Sequence, residues 1–209
     1  MKRLGIWVLA TMLVLGVTSV ADAVRPQRLA VDAMAIEQAW TAWVLGSSSN
    51  PLLAEDFCGE VVDGRFFLTV TVATGVTELD CEIPAGTEVV ASPFGAISWA
   101  PTDGKTGTKL FNATFGYLDG VVPKSVKVQV DGTSLEKEPM LCSHPFKIAL
   151  EPGNSLQQLD SNVEGDSTKV VTCGWFYLLD PLSSGQHTID LAGATKTGSF
   201  ELRFNVTVA

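Results

Sequence analysis

Apolar and polar side chains alternate along the C-terminal end of the chain. Every second residue from Phe200 to Val208 is apolar, and polar residues such as Glu201 and Arg203 stand between them. This period of two is typical of a β-strand with one buried face and one solvated face. The stretch from Lys169 to Leu179 is almost entirely apolar, which predicts a central strand buried on both faces.

Shorter runs of β-branched and aromatic residues, separated by Gly, Pro and Asp clusters, predict further strands. These runs lie at Arg65–Thr74, Thr87–Ala91, Lys109–Tyr117, Ser125–Val130, Phe146–Leu150 and His187–Leu191. Asp131-Gly132 is a turn pair of the kind that hairpins favour. Short strands at regular spacing predict an all-β fold, either a β-sandwich or a jelly roll.

One N-terminal amphipathic helix is expected before the strands, and no second helical pattern follows it. Its apolar residues recur at spacings of three and four: Ile36, Trp40, Trp43 and Val44. Asp32 is placed to cap the start, and Gly46 with the segment Ser47–Pro51 ends it. A stripe with two tryptophans is more often the face that docks a helix onto a sheet than a ligand platform.

The N-terminus has the pattern of an export signal. Lys2 and Arg3 precede an apolar run, and small residues stand before a cut after Ala23. The run is shorter than the roughly 20 residues of a membrane span. We therefore expect a signal peptide at 1–23, a helical segment at 24–57 packing on the sandwich, and the β-sandwich domain at 58–209. The mature protein would be secreted or periplasmic, with no membrane span.

Cleavage changes the size and charge of the chain only slightly. It leaves 186 of the 209 residues, and the loss of Lys2, Arg3 and Asp22 changes the formal net charge from −9 to −10. This length is sufficient for one well-buried core or for two small ones. The acidic balance argues against nucleic acid as a partner, because phosphate binding requires clustered Lys and Arg.

All four cysteines lie in the part that would be exported, where an even number predicts two disulfides. Of the three possible connectivities we favour Cys58–Cys81 and Cys142–Cys173, because each closes a short loop. Each bond would stabilise the fold by roughly 3 to 4 kcal/mol in the chain-entropy model. A zinc site is the alternative, but it lacks a Cys-x-x-Cys pair and histidines at ligand spacing.

Catalytic signatures are weak. The two histidines are His144 and His187, and no Gly-x-Ser-x-Gly elbow accompanies them. His187 stands where a turn enters a strand, and such a histidine is more often structural than a base. Asp80 and Glu82 flank Cys81, so their side chains share one strand face at about 7 Å. That spacing permits inverting glycoside hydrolysis, although a solvated face is the stronger interpretation.

A calcium loop is the best metal candidate. The candidate ligands are Asp160, Asn162, Glu164 and Asp166, with a turn glycine at Gly165. The first half matches an EF-hand loop, but the twelfth position is Val171, which supplies no carboxylate. A looser surface calcium site is therefore weighed against a polar loop of turn-forming residues. No other cofactor is expected.

Trp99 is the best placed aromatic residue for sugar binding, because it lies at a predicted loop edge, after the Pro93-Phe94-Gly95 turn. Sugar recognition requires exposed aromatic faces beside carboxylates or amides. With Trp99, we consider His187, Asp80 and Glu82 as candidate binding residues.

Three local motifs resemble a family of bacterial secreted β-rich proteins. The motifs are Trp40-x-x-Trp43 followed by Asn50-Pro51, Cys81-Glu-Ile-Pro84-Ala85-Gly86-Thr87, and the stretch from Gly174 to Gly193. The resemblance spans most of the mature chain. It implies an exported β-rich fold and no particular activity.

These features favour a non-enzymatic domain that binds an extracellular glycan or protein partner. A secreted polysaccharide hydrolase using paired carboxylates and a structural envelope or coat protein are the alternatives. The hydrolase hypothesis requires that His187, Asp80, Glu82 and Trp99 converge on one cavity.

Overall fold

The computed structural model describes residues 33–54, 56–69 and 75–209. The predicted signal peptide, the capping residue Asp32 and the end of the first predicted strand, residues 70–74, lie outside the described residues. Within the described ranges, no helix is long and apolar enough to cross a membrane.

Eleven strands in the described part of the chain form two sheets. The first sheet contains β1 (Gly59–Val62), β2 (Arg65–Leu68), β4 (Glu88–Trp99), β7 (Leu141–Cys142), β8 (Phe146–Ala149) and β9 (Ser167–Leu179). The second sheet contains β3 (Gly75–Ile83), β5 (Lys127–Val130), β6 (Thr133–Ser134), β10 (Gly185–Ala194) and β11 (Ser199–Val208).

Strand order explains how the chain crosses between the sheets. The first sheet runs β1-β2-β4-β9-β7, with β8 also pairing β9, and the second runs β3-β11-β10-β5-β6. The pairs β2–β4 and β3–β11 are parallel, and the other pairs are antiparallel. Apolar residues from both sheets form one buried core, including Tyr177, Phe204 and Leu191. The fold is therefore a β-sandwich, as predicted.

A helical layer covers the outer face of the first sheet. Helix α1 (Ala33–Gly46) and the short helix α3 (Ser155–Leu159) pack there in a second core. Trp40 meets Phe176 edge to face at 5.4 Å, and Trp43 meets Phe67 at 5.7 Å. The tryptophan stripe therefore docks α1 onto the sheet, which confirms that interpretation.

Both predicted disulfides are present. Cys58–Cys81 connects the segment before β1 to β3 and therefore links the two sheets. Cys142–Cys173 joins directly opposed residues of β7 and β9 within the first sheet. No free cysteine remains.

Strand predictions from the strongest patterns are confirmed. Strand β9 is buried along almost its whole length, and β11 buries alternate residues from Leu202 to Val208. Asp131 and Gly132 both have positive φ, at 50° and 74°, in the tight turn between β5 and β6. A turn of this kind matches the twist of the paired strands.

The prediction of a strand at Lys109–Tyr117 is wrong, because this segment forms helix α2 (Gly107–Leu118). Thr106 caps the helix by accepting a hydrogen bond from the Lys109 amide at 3.4 Å. Leu110, Thr114 and Leu118 are the buried residues, and they recur every fourth position. That period outweighs the β-propensity of the aromatic residues between them. Helix α3, capped by Asn154, is a second helix that the pattern did not predict.

Strand β4 is longer than the predicted Thr87–Ala91 strand, and Pro93-Phe94-Gly95 is not a turn. The chain continues as a strand to Trp99, with an irregularity in its pairing to β9 between Ala91 and Phe94. Such a bulge changes which residues face each side of the sheet. Similarly, β5 begins only at Lys127, because a 3₁₀ helix occupies Pro123–Ser125.

Close packing at the end of α1 generates a stability prediction. A Cβ added at Gly46 would lie 2.2 Å from the carbonyl oxygen of Ala149, and backbone cannot move aside cheaply. We expect Gly46→Ala to lower the free energy of unfolding by about 1–3 kcal/mol. The control is Gly116→Ala in α2, where nothing lies within 4 Å. That variant should gain up to about 1 kcal/mol. Denaturant titration measures both, and equal stability of the two variants would contradict the packing.

Candidate functional site

The four candidate binding residues do not converge on one cavity. Asp80 and Glu82 are exposed on the outer face of β3, on either side of buried Cys81. His187 pairs with Val206 of β11, and Val206 pairs with Cys81 of β3. The side chain of His187 therefore lies on the same sheet face as Cys81, opposite to the face of Asp80 and Glu82. Trp99 ends β4 in the first sheet. The geometry that a hydrolase would require from this set is therefore not formed.

Asp80 makes a local contact across the strands. Its Oδ1 accepts a hydrogen bond from Nδ2 of Asn205 at 3.0 Å, and Asn205 is its direct partner on β11. Cross-strand polar pairs of this kind support a solvated sheet face.

His187 is held between Asp131 and Ser183. Its Nδ1 lies 2.8 Å from Oδ2 of Asp131, and its Nε2 lies 2.8 Å from the carbonyl oxygen of Ser183. The Ser183 hydroxyl is 3.2 Å from Nε2, and Oδ1 of Asp131 accepts from the Thr188 amide at 2.8 Å. The side chain of His187 is 13% exposed. The arrangement fastens the turn before β10 to the β5–β6 turn.

These three side chains have the order of a Ser-His-Asp triad, but the hydrogen bonding of the imidazole does not suit catalysis. Burial disfavours the charged imidazolium, whereas the hydrogen bonds to Asp131 and Ser183 and the charge of Asp131 favour it. The net effect raises the pKa of His187 above its ordinary value. Two acceptors on the two ring nitrogens favour the doubly protonated ring, which has no lone pair to accept a serine proton. We therefore interpret His187 as structural.

Asp160, a candidate calcium ligand, instead positions Trp99. Its Oδ2 accepts hydrogen bonds from Nε1 of Trp99 at 2.7 Å and from the hydroxyl of Thr102. Its Oδ1 accepts from the backbone amide and the side-chain amide of Asn162, at 3.0 and 2.9 Å. The bonds from Thr102 and Trp99 hold the pKa of Asp160 well below its usual range. Asp160 thus keeps a charged acceptor behind the indole ring.

The two remaining candidate ligands, Glu164 and Asp166, do not complete a metal site with Asp160 and Asn162. Glu164 and Asp166 are exposed, and Oδ1 of Asp166 accepts from the hydroxyl of Ser167 at 3.0 Å. Across residues 33–54, 56–69 and 75–209, no group of three or more His, Cys, Asp or Glu residues is arranged to hold a metal ion.

Trp99 borders a cleft of about 470 Å³, which we call the aromatic cleft. Helix α1 forms one wall, the second half of β4 forms another, and the turn between β10 and β11 forms a third. Its main apolar lining residues are Trp40, Phe94, Ile97, Trp99, Leu159 and Phe200. Phe94 and Phe200 join the two sheets at this point, with ring centroids 5.8 Å apart. Leu159 is 52% exposed at the rim.

A second cavity, of about 480 Å³, lies at the end of α1, and hydrogen bonds within the protein occupy its two glutamate carboxylates. Glu60 accepts from the hydroxyl of Ser49 at 2.6 Å and from the indole of Trp43. Glu151 accepts from the amide and hydroxyl of Ser48 at 2.8 and 2.7 Å. These carboxylates secure the helix end, so this cavity is the weaker candidate for a ligand site.

The sequence pattern points to Trp99 but not to the residues that surround it. Phe94, Phe200 and Trp40 come from three separate elements, and only the bulge in β4 directs Ile97 and Trp99 towards α1. The sequence does not indicate that Ser92 lies in a cleft wall, because a single serine before a proline is usually a turn residue.

Glu37 is a buried carboxyl group that the sequence pattern also did not reveal. It is fully buried on α1, and neither carboxyl oxygen has a hydrogen-bond partner within the described residues. Burial raises the pKa of Glu37 to about 8, and the nearby backbone N–H of Ser143 lowers it by a smaller amount. The Ser143 amide itself donates to the carbonyl of Thr172 at 2.9 Å. Glu37 is therefore an acid that is largely protonated at neutral pH.

Comparison with known proteins gives little further information. No protein-family model matches the chain, and no curated protein matches it. A solved structure of PbICP-C in complex with falcipain-2 is similar at a TM-score of 0.26 and 9% identity, covering 71% of this chain and 95% of that chain. The solution structure of Amebosin is similar at a TM-score of 0.18 and 12% identity, covering 63% of this chain and 96% of that chain. Neither similarity is close enough to identify a family.

The raised pKa of Glu37 predicts how stability depends on pH. The folded state binds this proton more tightly than the unfolded state, so its contribution is complete below pH 4.5 and is lost as pH rises through about 8. Between pH 4.5 and 9 we expect the free energy of unfolding of the wild type to fall by about 2–4 kcal/mol more than that of Glu37→Gln. Denaturant titration at several pH values measures this. Glu82→Gln, on an exposed face, is the control, and parallel pH curves for Glu37→Gln and the wild type would contradict burial of the acid.

The charge of Asp131 predicts the titration of His187. Asp131→Asn keeps a residue that tolerates the positive φ of the turn but removes the charge, so the pKa of His187 should fall. NMR titration of the imidazole measures it. The stability that this contact supplies is present below the unfolded pKa of 6.5 and is lost as pH rises through the folded pKa. Asp80→Asn, on the other sheet face, should leave the titration unchanged. An unaltered pKa in Asp131→Asn would show that Asp131 does not set the charge.

Proposed function

We propose that this chain is an exported, non-enzymatic binding domain whose ligand occupies the aromatic cleft. The observation that carries this proposal is the cleft itself, at about 470 Å³ with aromatic walls from α1, β4 and β11. Ligand sites in proteins are typically apolar concavities of about 300 to 1,000 Å³ with a few polar groups.

Export is supported by two independent features. The structure has two disulfides, and such bonds persist in oxidising compartments. The N-terminal residues carry the sequence pattern of a cleaved signal peptide. Both favour a secreted or periplasmic location.

The chemistry of the lining favours an apolar group over a glycan. Sugar hydroxyls are usually bound by carboxylates or amides beside an aromatic face, and the described lining contains neither. Its polar members are hydroxyl residues, namely Ser92, Thr195, Thr197 and Ser199. Exclusion of water from aromatic and aliphatic surface supplies the affinity for an apolar ligand.

A hydrolase has less support. Asp80 and Glu82 stand on the outer face of the second sheet, and His187 has no free lone pair in its hydrogen-bonded state. The proposal therefore assigns no catalytic residue.

Binding of a small apolar probe tests the proposal. Toluene titrated into the mature protein should shift the NMR signals of the Trp40 and Trp99 indole N–H groups with saturation. Thr197→Phe places a ring at the cleft mouth, where Thr197 is exposed, and should abolish these shifts. Thr133→Phe makes the same change at an exposed residue of β6, away from the cleft, and should leave them intact.

A glycan array on the same three proteins separates the two ligand classes. Absence of toluene shifts would overturn the apolar assignment. Glycan binding that Thr197→Phe abolishes and Thr133→Phe retains would replace it with a sugar ligand in the same cleft.

A further inference from the structure

Ser92 is a buried hydroxyl residue without a partner at the edge of the aromatic cleft. It is 2% exposed, and its Oγ has no hydrogen-bond partner within the part of the chain that the structure describes. It lines the cleft and lies at the bulge where the register between β4 and β9 is interrupted. Buried hydroxyl groups are nearly always hydrogen-bonded, so an unpaired one in a cavity wall requires an explanation.

The position of Gly95 shows which space the Ser92 hydroxyl borders. Gly95 also lines the cleft, and a methyl group added there would lie 3.8 Å from Oγ of Ser92. Its other nearest neighbours are the Cys173 carbonyl oxygen at 3.4 Å and the Cα of Gly174 at 3.8 Å, both ordinary contact distances. Gly95 therefore leaves the space beside the Ser92 hydroxyl, on its side of the strand, free of a side chain.

Around this hydroxyl the described lining is aromatic and uncharged. Trp40, Phe94, Trp99 and Phe200 supply rings, and none of the described residues that line the cleft is Asp, Glu, Lys, Arg or His. Trp99 is fixed in orientation by Asp160, so its ring is a preformed wall. Aromatic rings prefer offset or edge contacts with other rings, and an uncharged site favours a neutral ligand.

We infer that the aromatic cleft binds a small neutral phenol, with its ring among these side chains and its hydroxyl hydrogen-bonded to Oγ of Ser92. This inference rests on the proposed function and specifies its ligand. An aliphatic chain leaves the ring contacts unused, and an unsubstituted aromatic ring leaves Ser92 unpaired. A glycan brings more hydroxyl groups than the single buried one offers. The hydroxyl groups of Thr195 and Thr197, nearer the mouth, are already hydrogen-bonded to each other, with 3.1 Å between their oxygens.

Two probes that differ by one hydroxyl test the inference. We would measure the dissociation constants of p-cresol and toluene for the mature protein by NMR titration. In the wild type, p-cresol should bind at least as tightly as toluene, although water solvates its hydroxyl better. Ser92→Ala should weaken p-cresol binding about five- to tenfold and leave toluene binding within about twofold, because only p-cresol loses a hydrogen bond.

Matched variants keep the test decisive. Ser199→Ala removes an exposed hydroxyl from the same cleft and should change neither constant. Gly95→Ala fills the approach to Ser92 without a close contact and should weaken p-cresol more than toluene. It serves as the test if Ser92→Ala fails to fold.

The outcomes separate the inference from the proposed function. If neither probe binds, the cleft is not a site for apolar ligands and both proposals fall. If toluene binds but Ser92→Ala and Gly95→Ala leave the ratio of the two constants unchanged, the phenol assignment falls and the proposed function stands.

Discussion

The whole structure depends on burial of both faces of strand β9. From Cys173 onward its odd-numbered residues, including Trp175 and Tyr177, enter the core between the two sheets, and Val170, Phe176 and Leu178 enter the core beneath α1. From Val170 to Leu179 the strand has no solvated face, so each residue must find an apolar neighbour or a hydrogen-bond partner. The second sheet packs on one side of it and the helical layer on the other. The three layers are held in place by this single strand.

The bulge in β4 is the second constraint, and the candidate site follows from it. Before the bulge, Val90 faces the helical layer, and after it Ile97 and Trp99 do so. A regular strand would keep residues 90, 97 and 99 from sharing a face, because 90 and 97 differ by an odd number. The extra residue thus turns Trp99 outward, where Asp160 can accept its indole proton. The same irregularity leaves the Ser92 hydroxyl without a strand neighbour to bond.

Patterns of period two and unbroken apolar runs predicted much of the fold. Strands β9 and β11, the hairpin turn at Asp131-Gly132 and both disulfides follow from local sequence and from short loop closure. Helix α2 was missed because Phe111, Phe115 and Tyr117 point largely to solvent, which hides a four-residue period under β-prone residues. The cleft was missed because its contacts are distant in sequence: Trp99 and Asp160 are 61 residues apart. The burial of Glu37 was missed for the same reason, because β9 and the segment at Ser143, which pack against α1, are distant from it in sequence.

The parallel pairing of β3 with β11 has a consequence for the order in which the chain folds. Asp80 and its neighbour Asn205 are 125 residues apart, and β11 stands between β3 and β10 in the second sheet. That sheet therefore lacks an inner member until β11 is in place. Within the described sheet β3 pairs only with β11, and strand pairing across such a long sequence separation is slow. The second sheet therefore closes only when two distant parts of the chain meet, and β3 contributes to it late in folding even though it precedes the other strands of that sheet along the chain.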